Sequence, residues 1–129
     1  MKSFADTGFY IALLNRHDQF HARAVKAAAK QEVLVTTSAV IGETVTLLQR
    51  RGRMDEALAF LSQIQRQART LIIHPDETLH QSAWRLFVQY GPTGASIVDC
   101  VSFAAMQKAG IRNALTFDDH FRAAGFSIL

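Results

Sequence analysis

Short apolar or β-branched runs alternate with stretches of helical spacing along the chain, and few folds accommodate that alternation. Five runs read as strands: Lys2–Ala5 and residues 33–36, 71–73, 114–116 and 126–129. Between them, Phe9, Tyr10, Leu13 and Leu14 recur at helical intervals, and residues 20–30 form an alanine-rich segment of high helix propensity with Val25 on one face. Thr37 and Ser38 are good caps for a helix carrying Val40, Val45, Leu47 and Leu48, which Arg51-Gly52-Arg53 stops. Residues 54–67 place Leu58, Leu61 and Ile64 in helical register, and residues 77–90 turn Leu79, Ala83, Leu86 and Phe87 inward. Gly91-Pro92-Thr93-Gly94 is a loop, residues 97–109 a mostly apolar helix and 118–123 a short one. Strands separated by helices predict an α/β fold, a parallel sheet with right-handed crossovers covering both faces. Such sheets bind ligands beyond the carboxyl ends of their strands.

The chain of 129 residues suits one domain, residues 1–129, with one substantial core. With 49% hydrophobic and 19% charged residues it lies far from the regime of disorder. Its longest apolar runs fall short of the roughly 18 residues of a membrane helix, and Asp6 interrupts the start before any apolar run, so neither a span nor a signal peptide is expected. The expected location is the cytoplasm, in keeping with a single cysteine, Cys100, that reads as a small buried hydrophobe. A net charge of +3 leans weakly toward a polyanionic partner.

Four acids sit within or against apolar stretches. Asp6 and Asp118 directly follow strands, while Glu43 and Asp99 fall in the first turns of helices that begin near the same sheet edge. Each aspartate has a structural alternative: Asp6 and Asp118 or Asp119 as helix N-caps, and Asp99 as the partner of Ser96 in a capping box. Glu43 shares a stripe with Val40 and Leu47 with no basic residue within a turn, although it could instead border that stripe. Capping accounts for the acids one at a time and leaves their gathering at one edge unexplained. Uncompensated carboxylates in a core are prohibitive, and divalent cations held by oxygen ligands would account for the set.

Other candidates are weaker. Arg50, Arg51 and Arg53 could contact phosphate or an acidic partner, or merely complement a helix C-terminus. His17 and His21 lie four apart amid polar residues and read as a solvated turn; His120 adjoins the fourth acid and could touch substrate. Trp84 is expected in the core.

Phe4-Ala5-Asp6-Thr7-Gly8, Glu43 after Thr37-Ser38, the run from Ser96 to Ala104 around Asp99, and Ala114-Leu115-Thr116-Phe117-Asp118-Asp119-His120-Phe121 together resemble the PIN-domain ribonucleases, and among them the VapC-type toxins of bacterial and archaeal toxin-antitoxin pairs. The resemblance runs in order along the whole chain. It implies a five-stranded parallel sheet of order 3-2-1-4-5 and an acidic quartet of Asp6, Glu43, Asp99 and Asp118, supported by Thr7, Ser96 and Thr116. The doubled Asp118-Asp119 departs from the pattern; Asp118, directly after Thr-Phe, is the preferred fourth acid. The resemblance further implies Mg²⁺ or Mn²⁺, an RNA substrate, an antitoxin that blocks the site, and a homodimer. A nuclease of this fold without an antitoxin, a noncatalytic nucleic-acid-binding relative and a small phosphatase are the rival readings.

Overall fold

The computed structural model describes residues 2–129. Four strands, β1 (Lys2–Ala5), β2 (Val33–Thr37), β3 (Thr70–Ile73) and β4 (Ala114–Leu115), form one parallel sheet in the order β3-β2-β1-β4. Seven helices connect them: α1 (Thr7–Leu14), α2 (His21–Ala29), α3 (Ser38–Arg50), α4 (Met54–Arg66), α5 (Glu77–Tyr90), α6 (Ile97–Ala109) and α7 (Asp119–Ala123). A single 3₁₀ turn at Gly91–Thr93 occupies the expected loop.

The central strand explains why the sheet must be covered on both sides. Ser3, Phe4 and Ala5 point alternately to opposite faces, yet all three are fully buried. Phe4 pairs with Val35 on one side and Ala114 on the other, so β1 carries the register of the sheet. Phe103 anchors an aromatic cluster with Tyr90, Phe121 and Phe126, while Tyr10 packs between Phe9 and Phe60. Of these rings Phe9, Phe103 and Phe121 are fully buried, each contributing about 1.5–3 kcal/mol. Cys100 lies in this core, fully buried.

The fifth strand is the main departure from expectation. Residues 126–129 reach the sheet only as an isolated parallel bridge between Asn113 and Ser127, with Ala114 donating to the Ser127 carbonyl and Ser127 to that of Arg112. Gly125, at φ 98°, turns the chain out of α7 toward this bridge. The order 3-2-1-4 is retained, with a four-stranded sheet in place of five.

Three helices bury only part of the expected face, or a neighbouring one. In α4 the buried stripe is Ala57, Phe60 and Ile64, which leaves Leu58 and Leu61 exposed. In α5 the core takes Leu79 and Ala83, while Phe87 is largely exposed and Trp84, one position past Ala83, is 57% exposed. Val25 likewise faces outward, because α2 packs through Ala24 and Ala27.

Candidate metal centre

At the carboxyl edge of the sheet the chain leaves β1 for α1 at Asp6, β2 for α3 at Thr37, and β4 for α7 through Thr116 and Asp118. These exits open on one cleft of about 380 Å³ lined by Asp6, Glu43, Asp99 and Asp118 together with Thr7, Thr116, Phe20, Phe117 and Arg51. Sequence positions far apart thus meet within one hollow.

Capping and convergence prove to be the same device. Asp6 N-caps α1, its Oδ1 accepting from the Phe9 amide at 2.9 Å, while its Oδ2 accepts from the Thr116 hydroxyl at 2.6 Å. Asp99 closes a capping box with Ser96: its amide donates to Ser96 Oγ at 3.0 Å, and its Oδ2 accepts from the Ser96 amide at 2.9 Å. Asp118 caps α7, its Oδ1 accepting from the His120 amide at 2.9 Å and from His120 Nδ1 at 2.7 Å. Capping fixes each carboxylate rigidly and leaves Asp99 Oδ1 and Asp118 Oδ2 without a hydrogen bond among the described residues. Those two oxygens, on acids close enough to share an ion, are hard donors of the kind a divalent cation takes.

Electrostatics point the same way. Asp6 is only 7% exposed and pairs with no cation among the described residues. Burial, opposed by the hydrogen bonds from Thr116 and Phe9 and reinforced by Asp99 and Asp118, pushes its carboxyl up to about 7. Asp99 is also raised, by burial first and then by the Asp118 and Glu43 charges. Thr7 Oγ1 is buried beside Asp6 without a hydrogen-bond partner among the described residues, a further oxygen donor at the cleft. The donor set therefore fits a hard divalent cation.

His120 stands against two of the acids, with both of its ring nitrogens facing acceptors. One ligand atom each from Asp99, Asp118 and His120 lie within 4.8 Å of one another. The ring also spans from Asp118 to the Thr93 carbonyl, which Nε2 meets at 3.0 Å, and these two acceptors raise its pKa.

The supporting residues divide. Thr116 and Ser96 bond directly to acids, and Thr7 lines the cleft. Asp119 does not join them: it turns to solvent and pairs with Arg122 at 2.7 Å. Glu43 is half-buried and borders the core stripe of Val40, Ile41, Thr44 and Leu48, so the bordering alternative describes its place on the helix. Of the three arginines only Arg51 lines the cleft, following Glu43 and Leu47 at four-residue intervals along and just past α3; Arg53 is tied to Glu56 at 2.9 Å. Sequence reasoning missed the stacked pair of Phe20 and Phe117, 4.4 Å apart and within 9° of parallel, because nothing local signals that residues so distant in the chain will meet.

The PIN domain family matches residues 3–127. The chain is 40% identical over 124 residues to the 23S rRNA-specific endonuclease VapC20 of Mycobacterium tuberculosis, covering 95% of this chain and 94% of that protein. The crystal structure of Mycobacterium tuberculosis VapC20, a sarcin-ricin loop cleaving toxin, matches with a TM-score of 0.89 and 38% identity over 98% of this chain and 96% of that one. More distantly, VapBC2 from Rickettsia felis, bound to a DNA fragment from its promoter, shares the fold with a TM-score of 0.70 at 14% identity, over 100% of this chain and 98% of that one.

Proposed function

Because this chain belongs to the PIN-domain family, we propose that it is an endoribonuclease toxin that hydrolyses phosphodiester bonds of ribosomal RNA with Mg²⁺ or Mn²⁺ bound at the acid cleft. The observation that carries the reading is the meeting of Asp6, Glu43, Asp99 and Asp118 in one hollow at the carboxyl edge of the sheet. Likeness to VapC20 along nearly the full length supports an RNA substrate of the sarcin-ricin class.

Asp6, Asp99 and Asp118 would hold the cation, with His120 fixing the orientation of Asp118. A divalent cation bound there supplies Lewis acidity, lowering the pKa of water and relieving charge on the phosphoryl and leaving oxygens. Glu43 enters the cleft from α3 and orients the attacking water. Arg51 farther along the same wall meets the phosphate backbone, and Thr116 keeps Asp6 aimed while satisfying one of its oxygens. The raised Asp6 carboxyl means that a cation must displace a proton to bind near neutral pH.

An antitoxin and a second copy of the chain are the expected protein partners. Exposed apolar side chains on α4 (Met54, Leu58, Leu61) and α5 (Trp84, Phe87, Val88) offer surface for them. No helix among the described residues is long and apolar enough to cross a membrane, and a cytoplasmic site of action accords with a ribosomal substrate.

The test is cleavage of a sarcin-ricin-loop RNA by purified protein, with and without Mn²⁺, beside Asp99→Asn. Metal-dependent cleavage lost in the variant is expected, as is growth arrest on expression without the neighbouring gene. A variant that cuts as fast as the wild type would sink the assignment of the acids. Cleavage without growth arrest would favour a nuclease of this fold that acts outside a toxin-antitoxin pair.

A further inference from the structure

Arg23, Lys26 and Lys30 lie along α2 and its end at intervals of three and four, and they line a groove of about 370 Å³ against Asn113, Ala114 and Leu115 and the residues from Ser127 to Leu129. No acidic side chain lines this groove, in contrast to the acid cleft. All three cations are exposed, and none makes an ion pair among the described residues.

The two spaces adjoin through the stacked aromatic pair. Phe20 and Phe117 line the acid cleft, while the Arg23 guanidinium lies over them, 5.7 and 5.2 Å from the ring centroids, and lines the groove. A polyanion leaving the acids therefore meets Arg23 first, then Lys26, then Lys30. At 1.5 Å of rise per residue, Lys30 stands about 10 Å beyond Arg23 along the helix axis, an extent suited to a strand of nucleic acid and larger than a single phosphate.

A second observation points to a ligand with hydroxyl groups. Among the described residues Ser3 Oγ and Gln31 Oε1 are both buried without a hydrogen-bond partner, and both residues line this groove. Buried polar atoms left unpaired are uncommon and need an explanation. A ribose 2′-hydroxyl, donor and acceptor at once, could pair with Gln31 once that half-buried side chain turns toward the groove, whereas Ser3 is fully buried and out of its reach.

We propose that this groove holds the RNA strand flanking the scissile phosphate, with Arg23, Lys26 and Lys30 on its backbone. The inference rests on the ribonuclease reading of the acid cleft. Phosphate contacts of this kind set register and affinity without reading sequence; their role is to feed the chain past the aromatic pair toward the acids.

The test uses a hairpin RNA with a single-stranded extension, bound to the Asp99→Asn protein and to the same protein carrying Lys26→Gln and Lys30→Gln, followed by fluorescence anisotropy over a salt series. Affinity in 0.1 M salt should fall roughly tenfold, and the slope of log K against log salt should become shallower by about 1.4, near 0.7 for each single-strand phosphate that is no longer neutralised. Lys108→Gln, at the far end of α6, serves as the control and should behave as its parent. If affinity and slope are unchanged while the wild-type chain cleaves RNA, the groove assignment fails and the ribonuclease reading stands. If both fall as expected but the wild-type chain cleaves no RNA with either cation, the groove is an RNA-binding site, while the ribonuclease reading fails and with it the placing of a scissile phosphate beside the groove. Retained RNA affinity with loss of an acidic protein partner from the co-expressed complex would overturn the proposal and assign the groove to that partner.

Discussion

The Thr116 hydroxyl donates to Asp6 Oδ2 at 2.6 Å and accepts from the Asp118 amide at 3.0 Å, so one side chain ties the acid after β1 to the acid after β4. Adjacent parallel strands place their ends side by side, and this hydroxyl converts that adjacency into a fixed spacing between two carboxylates. Thr116→Val preserves shape and removes both bonds. It should lower Mn²⁺ affinity by about tenfold or more, the usual cost of losing a residue that orients a ligand, and should lower stability by about 1–3 kcal/mol through the unpaired polar groups it leaves buried. Calorimetric titration and denaturant unfolding would check the two effects separately; unchanged affinity in a destabilised protein would reduce Thr116 to a structural role.

Asp6 gives the metal-free protein a characteristic pH dependence. Its carboxyl is pushed up to about 7 from an unfolded value of 3.8, mainly by burial. Between those values the native state holds a proton that the unfolded chain releases. The contribution of this group to stability is therefore fully present below 3.8 and is lost as pH rises through about 7. In Asp6→Asn that loss should be absent, so above pH 7 the metal-free variant should melt several degrees higher than the wild type. Saturating Mn²⁺ should reverse the ranking, because only the wild type retains the ligand. Melting curves from pH 5 to 8 with EDTA and with Mn²⁺ would show the crossover, and parallel curves for the two proteins would refute it.

Much of this arrangement was legible in the sequence because its elements are strongly periodic. The boundaries of α5 and α6 coincide with the predicted ones, and Asp6, Glu43, Asp99 and Asp118 fall just after strands or in the first two turns of helices, where a parallel sheet gathers them. Faces were harder to read than elements. In α4 the stripes Leu58-Leu61 and Ala57-Phe60 are both apolar, and only packing against Tyr10 selects the one carrying Phe60. Trp84 shows the same limit: hydrophobicity marks a side chain as able to be buried, while its angular place on α5 leaves it outside. The doubled aspartate left the fourth acid open in the sequence, with Asp118 preferred after Thr-Phe, and the pairing of Asp119 with Arg122 required coordinates. The last strand is reduced to one bridge between Ser127 and Asn113, the residue before the two-residue β4, too short a pairing to show in a sequence pattern.

Glu43 differs from the aspartates in having no capping bond to hold it, and that difference separates its role from theirs. If it orients the attacking water, Glu43→Gln should lower kcat by about 10²–10⁴-fold and leave Mn²⁺ affinity within about threefold. Asp99→Asn should lose both. Parallel titration and single-turnover cleavage would distinguish the cases; a Glu43→Gln protein that loses affinity as severely as Asp99→Asn would make Glu43 a ligand instead.

Gly94 and His120 form a small clamp on the far side of Asp118. Gly94 sits at φ 106° after the 3₁₀ turn, and a Cβ built there would stand 3.1 Å from His120 Nε2, the atom that meets the Thr93 carbonyl at 3.0 Å. Gly94→Ala thus combines a left-handed backbone unsuited to alanine with pressure on a ring that has two anchors, at a cost of about 1–3 kcal/mol. The ring would be driven from Thr93 and would carry Asp118 Oδ1 with it, so cleavage should fall alongside stability. His120→Ala removes the ring and the obstruction together. In that background Gly94→Ala should cost only its backbone strain, and the difference between the two backgrounds measures the clamp by a double-mutant cycle. Additive losses in unfolding free energy and in kcat would mean that the turn and the acid are independent.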